Sequence, residues 1–393
     1  MVTRILPILT LLLLLPVWAI DARFFRPSRR RALRILLWLP SVVLLAGLCF
    51  MAWNEAYTAA ADLWKARLLA ATLTLAVPEA VFALFLVPAL VRRRRRRVSI
   101  LERIGQVLAC IVGFGMFYAS VFGWRQSEVV EREITLRDLP ASFDGYRIVQ
   151  LSDLHVGTLH GHPAVLETLV RDVNALRPDI VCFTGDLVNY RPDEQDEFRD
   201  ILSGFKARDG VLSIMGNHDY LCYFRWPSPL DSVRAIAQVQ DAERQMGWRL
   251  LLNESHVVRR GAGQDSLVFV GLENDGPPRF PAEADYPRAM QGISDSACRI
   301  VLQHDPTYWR REVLKEPRPA SLQLSGHTHG MQLRIFGWSP SSWIYSEWGG
   351  LFENRDAVPA KLYVNQGFGS VMIPFRLGAW PEITLITLRT PEK

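Results

Sequence analysis

The stretch Arg147–His155, RIVQLSDLH, decides the fold. Its first five residues are mostly apolar and β-branched, which is typical of a buried strand. The strand then gives way to Ser152-Asp153-Leu154-His155. Residues two apart in an extended chain point to the same side, so this stretch predicts that Asp153 and His155 face one centre.

Four later strands are predicted to end in polar clusters of the same kind. Helical patterns separate the early strands, which predicts βαβ units and an α/β fold. Ligand sites of α/β sheets lie beyond the carboxyl ends of strands, so the clusters are expected to converge. They are Gly185-Asp186, Gly216-Asn217-His218-Asp219, His304-Asp305 and Gly326-His327-Thr328-His329-Gly330. Strands are predicted over 147–151, 180–184, 211–215, 267–272, 299–303, 321–325, 361–364 and 383–388, and helices over 163–176, 193–205, 230–246 and 307–313.

The clusters contain the side chains of a metal site. Five of the eight histidines stand in them, together with Asp and Asn. Oxygen and imidazole ligands without thiolate suit Mn, Fe, Zn or a similar divalent ion. Each motif alone is weak, since Gly-Asn-His-Asp can be a simple turn and an H-x-H pair can lie on a surface strand. All of them at successive strand ends predict a metal centre.

This ordered set resembles the calcineurin-like metallophosphoesterases, whose pattern is D-x-H, G-D, G-N-H-[DE], H and G-H-x-H. The resemblance covers about residues 146–393. With the apolar front half it is most similar to the membrane-attached branch, the transmembrane proteins with a metallophosphoesterase domain. The fold that it implies is a four-layer α/β/β/α sandwich, with 125–145 interpreted as a linker.

The resemblance also implies roles by position. It places His218 near the leaving group as a proton donor and Asp219 as the residue that orients it. A carboxylate suits a bridge because its two oxygens can each face one cation. Two cations about 3.5–4 Å apart lower the pKa of a shared water and neutralise charge on a phosphoryl group. One ion would be held by Asp153, His155, Asp186 and His329, the second by Asp186, Asn217, His304 and His327, with Asp186 and a hydroxide as the bridges.

The sequence departs from the family pattern at three places, the first of which bears on the type of phosphoester that is cleaved. Leu187, Val188 and Asn189 follow Asp186 where many protein phosphatases have Asp and then Arg, so phosphodiesterase activity is favoured over protein phosphatase activity. Met331 stands where relatives often have Gly. Arg376 is the candidate for a phosphate contact, with a salt bridge to an acidic neighbour as the equal alternative.

Residues 1–124 are predicted to lie in a membrane. They carry 16 Lys and Arg against 5 Asp and Glu, whereas residues 125–393 carry 29 against 35. Apolar stretches cover 5–20, 32–53, 68–91 and about 104–124, and the last three are long enough to cross about 30 Å of hydrocarbon. The first is interpreted as a retained span, because an arginine group follows it instead of a cleavage site. Glu79, inside the third stretch, is either a functional carboxyl or one paired within the bundle.

Arginines predict the orientation of these spans. One group surrounds the first loop (Arg23, Arg26, Arg29, Arg30, Arg31 and Arg34), and another runs from Arg92 to Arg97. Short arginine-rich loops stay in the cytoplasm, so both termini and the back half are expected to be extracytoplasmic.

Composition excludes several functional classes. The five cysteines form no CxxC pair, which argues against a zinc ribbon or a disulfide scaffold. The back half is acidic and lacks basic stretches interleaved with aromatics, so no nucleic-acid partner is expected. The oligomeric state is not predicted.

The substrate is predicted only as a chemical class, from the aromatic stretch that follows the H-x-H motif. Residues 337–352 are rich in aromatics, including Trp338, Trp343 and Trp348. Such a stretch on a membrane-tethered domain can contact lipid or an acyl chain, or can fold over the core as a hairpin. A lipid-linked or membrane-proximal phosphodiester or pyrophosphate is the favoured substrate. The alternatives are a UDP-diacylglucosamine-type pyrophosphatase, whose cytoplasmic substrate conflicts with the predicted orientation, and a non-catalytic ligand-binding sensor.

Overall fold

The computed structural model describes residues 2–26, 31–53, 58–91, 98–261, 265–278, 280–354 and 358–391. These residues form two compact units. A helical unit contains Met1–Gly123 and the short segment Met372–Leu377, and an α/β unit contains Trp124–Val371 and Gly378–Lys393. Of the predicted loop arginines, Arg29, Arg30 and Arg92 to Arg97 lie outside the described residues.

Four long helices make up the helical unit: α1 (Val2–Ile20), α2 (Arg31–Trp53), α3 (Ala59–Val91) and α4 (Ile100–Val121). Each is long and apolar enough to cross a membrane, which confirms the four predicted spans. α1 continues as a π-helical turn through Asp21–Phe25. The chain is therefore an integral membrane protein.

Apolar packing and a few ion pairs hold this unit together. Leu13, Leu48 and Ala76 are fully buried in a cluster shared by the first three helices. Arg23 Nε lies 2.5 Å from Glu102 Oε1, and both side chains are buried. Ser99 begins α4 with a capping box closed by Glu102. Glu79 is half-buried, and its Oε2 has no hydrogen-bond partner within the described part of the chain.

The α/β unit contains two six-stranded mixed sheets. The strands are β1 (Glu128–Thr135), β2 (Arg147–Leu151), β3 (Ile180–Phe183), β4 (Val211–Ser213), β5 (Arg249–Leu250), β6 (Glu254–Arg260), β7 (Asp265–Gly271), β8 (Cys298–Leu302), β9 (Leu322–Ser325), β10 (Gly350–Glu353), β11 (Lys361–Val364) and β12 (Glu382–Arg389). The first sheet has the order β1-β12-β2-β3-β4-β5, and the second has the order β10-β11-β9-β8-β7-β6. The neighbouring strands β2, β3, β4 and β5 are parallel, as are β7, β8, β9 and β11.

Successive side chains of a strand point to opposite faces of its sheet and therefore pack in different layers. Ile148 and Ile180 point into an apolar cluster between the sheets, whereas their neighbours Val149 and Val181 join a cluster under the outer helices. A third cluster packs the other sheet against its own helices. The predicted four-layer α/β/β/α sandwich is therefore confirmed. The outer helices are α5 (Pro163–Ala175), α6 (Arg199–Leu202), α7 (Pro229–Gln245), α8 (Tyr286–Ala289) and α9 (Thr307–Arg311).

The linker interpretation of 125–145 is wrong for β1. Residues Glu128–Thr135 pair in parallel with β12 along all eight positions, so they belong to the sheet. The sequence EVVEREIT obscures this strand because β1 is an edge strand, where polar residues are tolerated, and five of its eight residues are polar. The predicted helix 193–205 also differs: a 3-10 turn at Pro192–Gln195 precedes the short α6.

Candidate metal centre

The candidate ligands lie where strands of both sheets end. Asp153 and His155 follow β2, Asp186 follows β3, and Asn217 with His218 follows β4. From the second sheet, His304 follows β8, and His327 with His329 follows β9. Gly326 makes this approach possible, because a Cβ there would overlap Ser152 Oγ and the Asp153 carboxylate. The polar side chains that follow strands of the two sheets therefore lie close together in one region.

The chain turns sharply at these residues instead of continuing as strand. Asp153, His155 and Asp186 have φ of 53°, 41° and 62°. His327 and His329 are also in the left-handed region, at 74° and 52°. The argument that residues two apart share a side in extended chain therefore does not apply here. Left-handed backbone at non-glycine residues costs about 1–3 kcal/mol each, a strain that is concentrated at functional sites.

A first group contains Asp153, His155 and His329, all buried. Their donor atoms lie within 4.8 Å of one another. The Nε2 atoms of His155 and His329 are 3.1 Å apart, and His329 Nε2 is also 3.1 Å from Asp153 Oδ1. The resemblance assigned these three side chains to one ion.

A second group contains Asp186, His304 and His327. His304 Nδ1 lies 2.7 Å from the carbonyl oxygen of Thr184, which leaves Nε2 directed at Asp186 Oδ2, 3.1 Å away. Asn217 Oδ1 lies 2.7 Å from His327 Nδ1, so Asn217 joins this group. His327 and His329 accordingly belong to different groups, although they are only two residues apart.

Asp186 lies between the two groups. Its Oδ2 is 3.6 Å from His155 Nε2 and 3.1 Å from His304 Nε2. Its Oδ1 accepts a hydrogen bond from the backbone N–H of His218 at 2.8 Å. The sequence argument expected one oxygen for each ion, whereas here a single oxygen faces both groups.

Charge pairing dominates the electrostatics of the centre. Burial raises the pKa of Asp153 and Asp186, but the nearby imidazoles of His329 and His304 outweigh it and lower both. Burial opposes protonation of His304, yet the Asp186 carboxylate raises its pKa above the ordinary value. Carboxylates held ionised in a buried place are suited to binding cations.

His218 belongs to neither of the two ligand sets assigned above, although a donor atom of its ring lies within 4.8 Å of donor atoms of His155 and Asp186. Its ring packs edge-on against His155 at 4.8 Å, and its Nδ1 lies 2.7 Å from the carbonyl oxygen of Asn189. An N–H at Nδ1 donating to that carbonyl leaves Nε2 available for proton transfer. Burial lowers the pKa of His218.

The predicted pairing of Asp219 with the His218 ring is wrong. The Asp219 carboxylate instead accepts four backbone N–H groups, from Asp186, Leu187, Val188 and Gly216, at 2.8–3.2 Å. It therefore fixes the loop that carries Asp186. The backbone carbonyl of Asn189 is the group that orients the His218 ring.

Two tyrosines next to the ligands were not predicted. Tyr345 Oη lies 2.9 Å from His327 Nε2, and Tyr223 Oη lies 2.8 Å from Asn217 Nδ2. Tyr345 is in the aromatic stretch 337–352, so composition pointed to the segment and not to this contact. Hydroxyls that hold the far side of a ligand fix its orientation and tautomer.

These side chains fit divalent cations. His155, His304 and His329 turn their Nε2 atoms toward the Asp153 and Asp186 carboxylates, at 3.1–3.9 Å. The donors are imidazole, carboxylate and amide oxygen, which suits Mn, Fe or Zn.

Two family models match the chain. Residues 146–331 match the calcineurin-like phosphoesterase family, and residues 3–124 match the transmembrane domain of probable calcineurin-like phosphoesterases. An uncharacterized metallophosphoesterase, YkuE of Bacillus subtilis, is 30% identical over 72% of this chain and 92% of its own length. The chain belongs to the calcineurin-like phosphoesterase family. As a family member it is a membrane-anchored phosphoester hydrolase, as its motifs predicted.

Two further relatives of this calcineurin-like phosphoesterase differ in their names. The "transmembrane protein with metallophosphoesterase domain" of Danio rerio is 31% identical over 69% of this chain and 60% of its own length. The "UDP-2,3-diacylglucosamine pyrophosphatase LpxG" of Chlamydia trachomatis is 26% identical over 63% of this chain and 86% of its own length.

Two other predicted features have definite places in the structure. Arg376 lies on Met372–Leu377, the segment grouped with the helices, and is fully buried. The aromatic stretch divides into two parts: Trp348 is half-buried, whereas Trp343 is 78% exposed. The stretch is therefore not a hairpin folded wholly over the core.

Proposed function

We propose that this chain is a dinuclear-metal phosphoesterase that hydrolyses phosphodiester or pyrophosphate bonds at the candidate centre. The observation that carries the proposal is Asp186 Oδ2, which faces both ligand groups while Oδ1 is held by the backbone. Asp153, His155 and His329 would hold one cation, and Asn217, His304 and His327 the other. When bound, such cations activate water and neutralise phosphoryl charge.

The chain's own residues would supply orientation and proton transfer. Asp186 would bridge the two ligand groups through Oδ2. His218, with Nδ1 tied to the Asn189 carbonyl, would deliver a proton from Nε2 to the leaving oxygen. Such an acid contributes about 10²–10⁴ in rate. Asp219 would act by holding the Asp186 loop, and not by proton transfer.

The test is hydrolysis of bis-p-nitrophenyl phosphate by the full chain in detergent, after chelation and after adding back Mn, Zn or Mg. Asp186→Ala should lose bound metal and activity together. The exposed Asp196→Ala is the matched control and should keep both. A full metal complement in the Asp186 variant would contradict the bridge, and a metal-loaded protein that cleaves neither diesters nor pyrophosphates would favour the ligand-binding sensor.

His218→Ala separates proton transfer from metal binding. The imidazolium of His218 becomes scarcer as pH rises, and burial, which lowers the pKa of His218, moves this loss to lower pH than for an ordinary histidine. The rate ratio of wild type to His218→Ala on a substrate with a poor leaving group should fall as pH increases, with bound metal equal in both proteins. A ratio that rises with pH would assign His218 a different role.

A lipid-linked substrate is the finer part of the proposal. The protein is anchored in a membrane, and the similar LpxG is named for a UDP-diacylglucosamine substrate. Turnover of a detergent-solubilised phospholipid diester and of a UDP-linked acyl sugar should be compared with a soluble diester. Preference for the acyl substrates by more than about tenfold would support the lipid assignment.

The orientation distinguishes the two lipid candidates. Arginine-flanked spans favour an extracytoplasmic α/β unit, which is where a phospholipid of the outer leaflet is accessible. Fusing alkaline phosphatase or green fluorescent protein to the C-terminus tests this. Phosphatase activity without fluorescence supports the outward orientation, whereas the reverse pattern favours a cytoplasmic nucleotide-linked substrate.

A further inference from the structure

An exposed hairpin follows the second ligand group along the chain. Ile335 and Trp338 exchange backbone hydrogen bonds of 2.8 and 3.0 Å, which leaves Phe336 and Gly337 as the two residues of the turn. Both have positive φ, 49° and 83°. Such turns favour Asn-Gly or Gly-Gly, because the left-handed region disfavours a bulky side chain.

No burial of the Phe336 side chain offsets the cost of its left-handed backbone. Its side chain is fully exposed at the tip. An aromatic residue that is strained in its backbone and makes no burial contribution is available to an apolar phase outside the protein.

Neighbouring side chains extend this tip into an apolar patch. Trp343 is 78% exposed and Ile344 63% exposed, and the Trp338 and Trp343 rings meet edge-on at 5.2 Å. From residue 331 to residue 346 the chain carries no Asp, Glu or Lys and one arginine, Arg334. A contiguous exposed aromatic patch of this kind marks an interaction surface.

We propose that this hairpin tip, Ile335–Trp338 with Trp343 and Ile344, inserts into the interface of the bilayer that holds the chain's helices. The spans keep a bilayer within reach of the α/β unit. Tryptophan and phenylalanine partition to the headgroup boundary, and Arg334 adds attraction to anionic lipid. The absence of carboxylates over this stretch removes the main cost of such contact. The inference concerns a lipid surface and does not depend on the proposed hydrolysis.

Depth measurement by spin labelling tests the insertion directly. The full chain, with Cys49, Cys110 and Cys222 replaced by serine, would carry Phe336→Cys or Trp343→Cys and be placed in nanodiscs of phosphatidylcholine and phosphatidylglycerol. The control is Val233→Cys, an exposed apolar position on α7. Labels at 336 and 343 should be about fivefold less accessible to a water-soluble nickel complex than the label at 233, with equal or greater accessibility to oxygen.

Two results would overturn the proposal. Nickel accessibility equal to that at 233 would leave the hairpin in water, as expected for a site that binds a protein partner instead. Low accessibility to both relaxants would place the labels inside protein. Because neither readout involves turnover, their failure is distinguishable from a failure of the phosphoesterase assay.

Discussion

The Asp219 carboxylate carries the prediction that most sharply separates a structural from a chemical role. It accepts four backbone N–H groups, two on each oxygen. In Asp219→Asn only one oxygen remains, and the new amide faces two N–H donors. Hydrogen bonds to a charged group contribute about 1.5–3 kcal/mol each, so losing two should cost about 3–6 kcal/mol. That is a large part of the usual 5–15 kcal/mol of domain stability.

The assay compares thermal unfolding and metal content of the full chain in detergent at pH 8. This pH is above the value of about 7 to which burial raises the pKa of Asp219, so the carboxylate is ionised. The midpoint should fall by about 10 °C or more. Metal affinity should fall with it, since Asp219 Oδ2 holds the backbone N–H of Asp186.

Asp241→Asn is the control for this substitution. Asp241 is exposed, and its ion pair among the described residues is with Arg244 across one helical turn, so its loss should cost less than about 1 kcal/mol. If Asp219→Asn kept its stability and metal and lost only turnover, the structural role would be refuted.

Two further predictions follow from the second ligand group. Tyr345→Phe removes the hydroxyl 2.9 Å from His327 Nε2 and should weaken binding of one of two metal equivalents by about 10–100-fold. The control Tyr286→Phe should leave metal binding unchanged. Unchanged metal titrations for both variants would exclude the orienting role of Tyr345. Because Asp186 raises the pKa of His304, metal must displace a proton there, so apparent affinity should weaken by about tenfold for each unit of pH lowered between 8 and 6. Chelator competition at three pH values measures this, and a flat response would contradict the expected proton release.

The sequence predicted the motifs of the centre well because they are local. The nine residues 147–155 contain both a strand pattern and the Asp-Leu-His motif that follows it, and each of the other polar clusters likewise marks the end of a predicted strand. The partners of the ligands were less visible. Tyr345 lies in the aromatic stretch, and Thr184 and Asn189 lie close to Asp186 in sequence. Nothing local shows that the Tyr345 hydroxyl or these two carbonyls contact the histidines of the centre. The role of Asp219 implied by the resemblance failed because its carboxylate accepts backbone N–H groups and does not contact the His218 ring.

The sheet edges were likewise harder to predict than the sheet centres. Strands β3 and β8 are buried on both faces, and their sequences are continuous apolar runs except for Arg299 in β8. β1 and β10 lie at the edges, where exposure permits charged residues, and β5 is only two residues long. Their pairing depends on neighbours distant along the chain.

The pairing of β1 has a consequence for biosynthesis. Among the described strands, β1 is the first to follow the spans, and its one neighbour in the sheet, β12, comes last in the chain. β12 also separates β1 from β2, so the first sheet cannot close before residues 382–389 have been synthesised. Until residues 382–389 are made, the edge of β2 that pairs with β12 stays unpaired. The nascent unit must be protected from aggregation at this edge while it is held at the membrane.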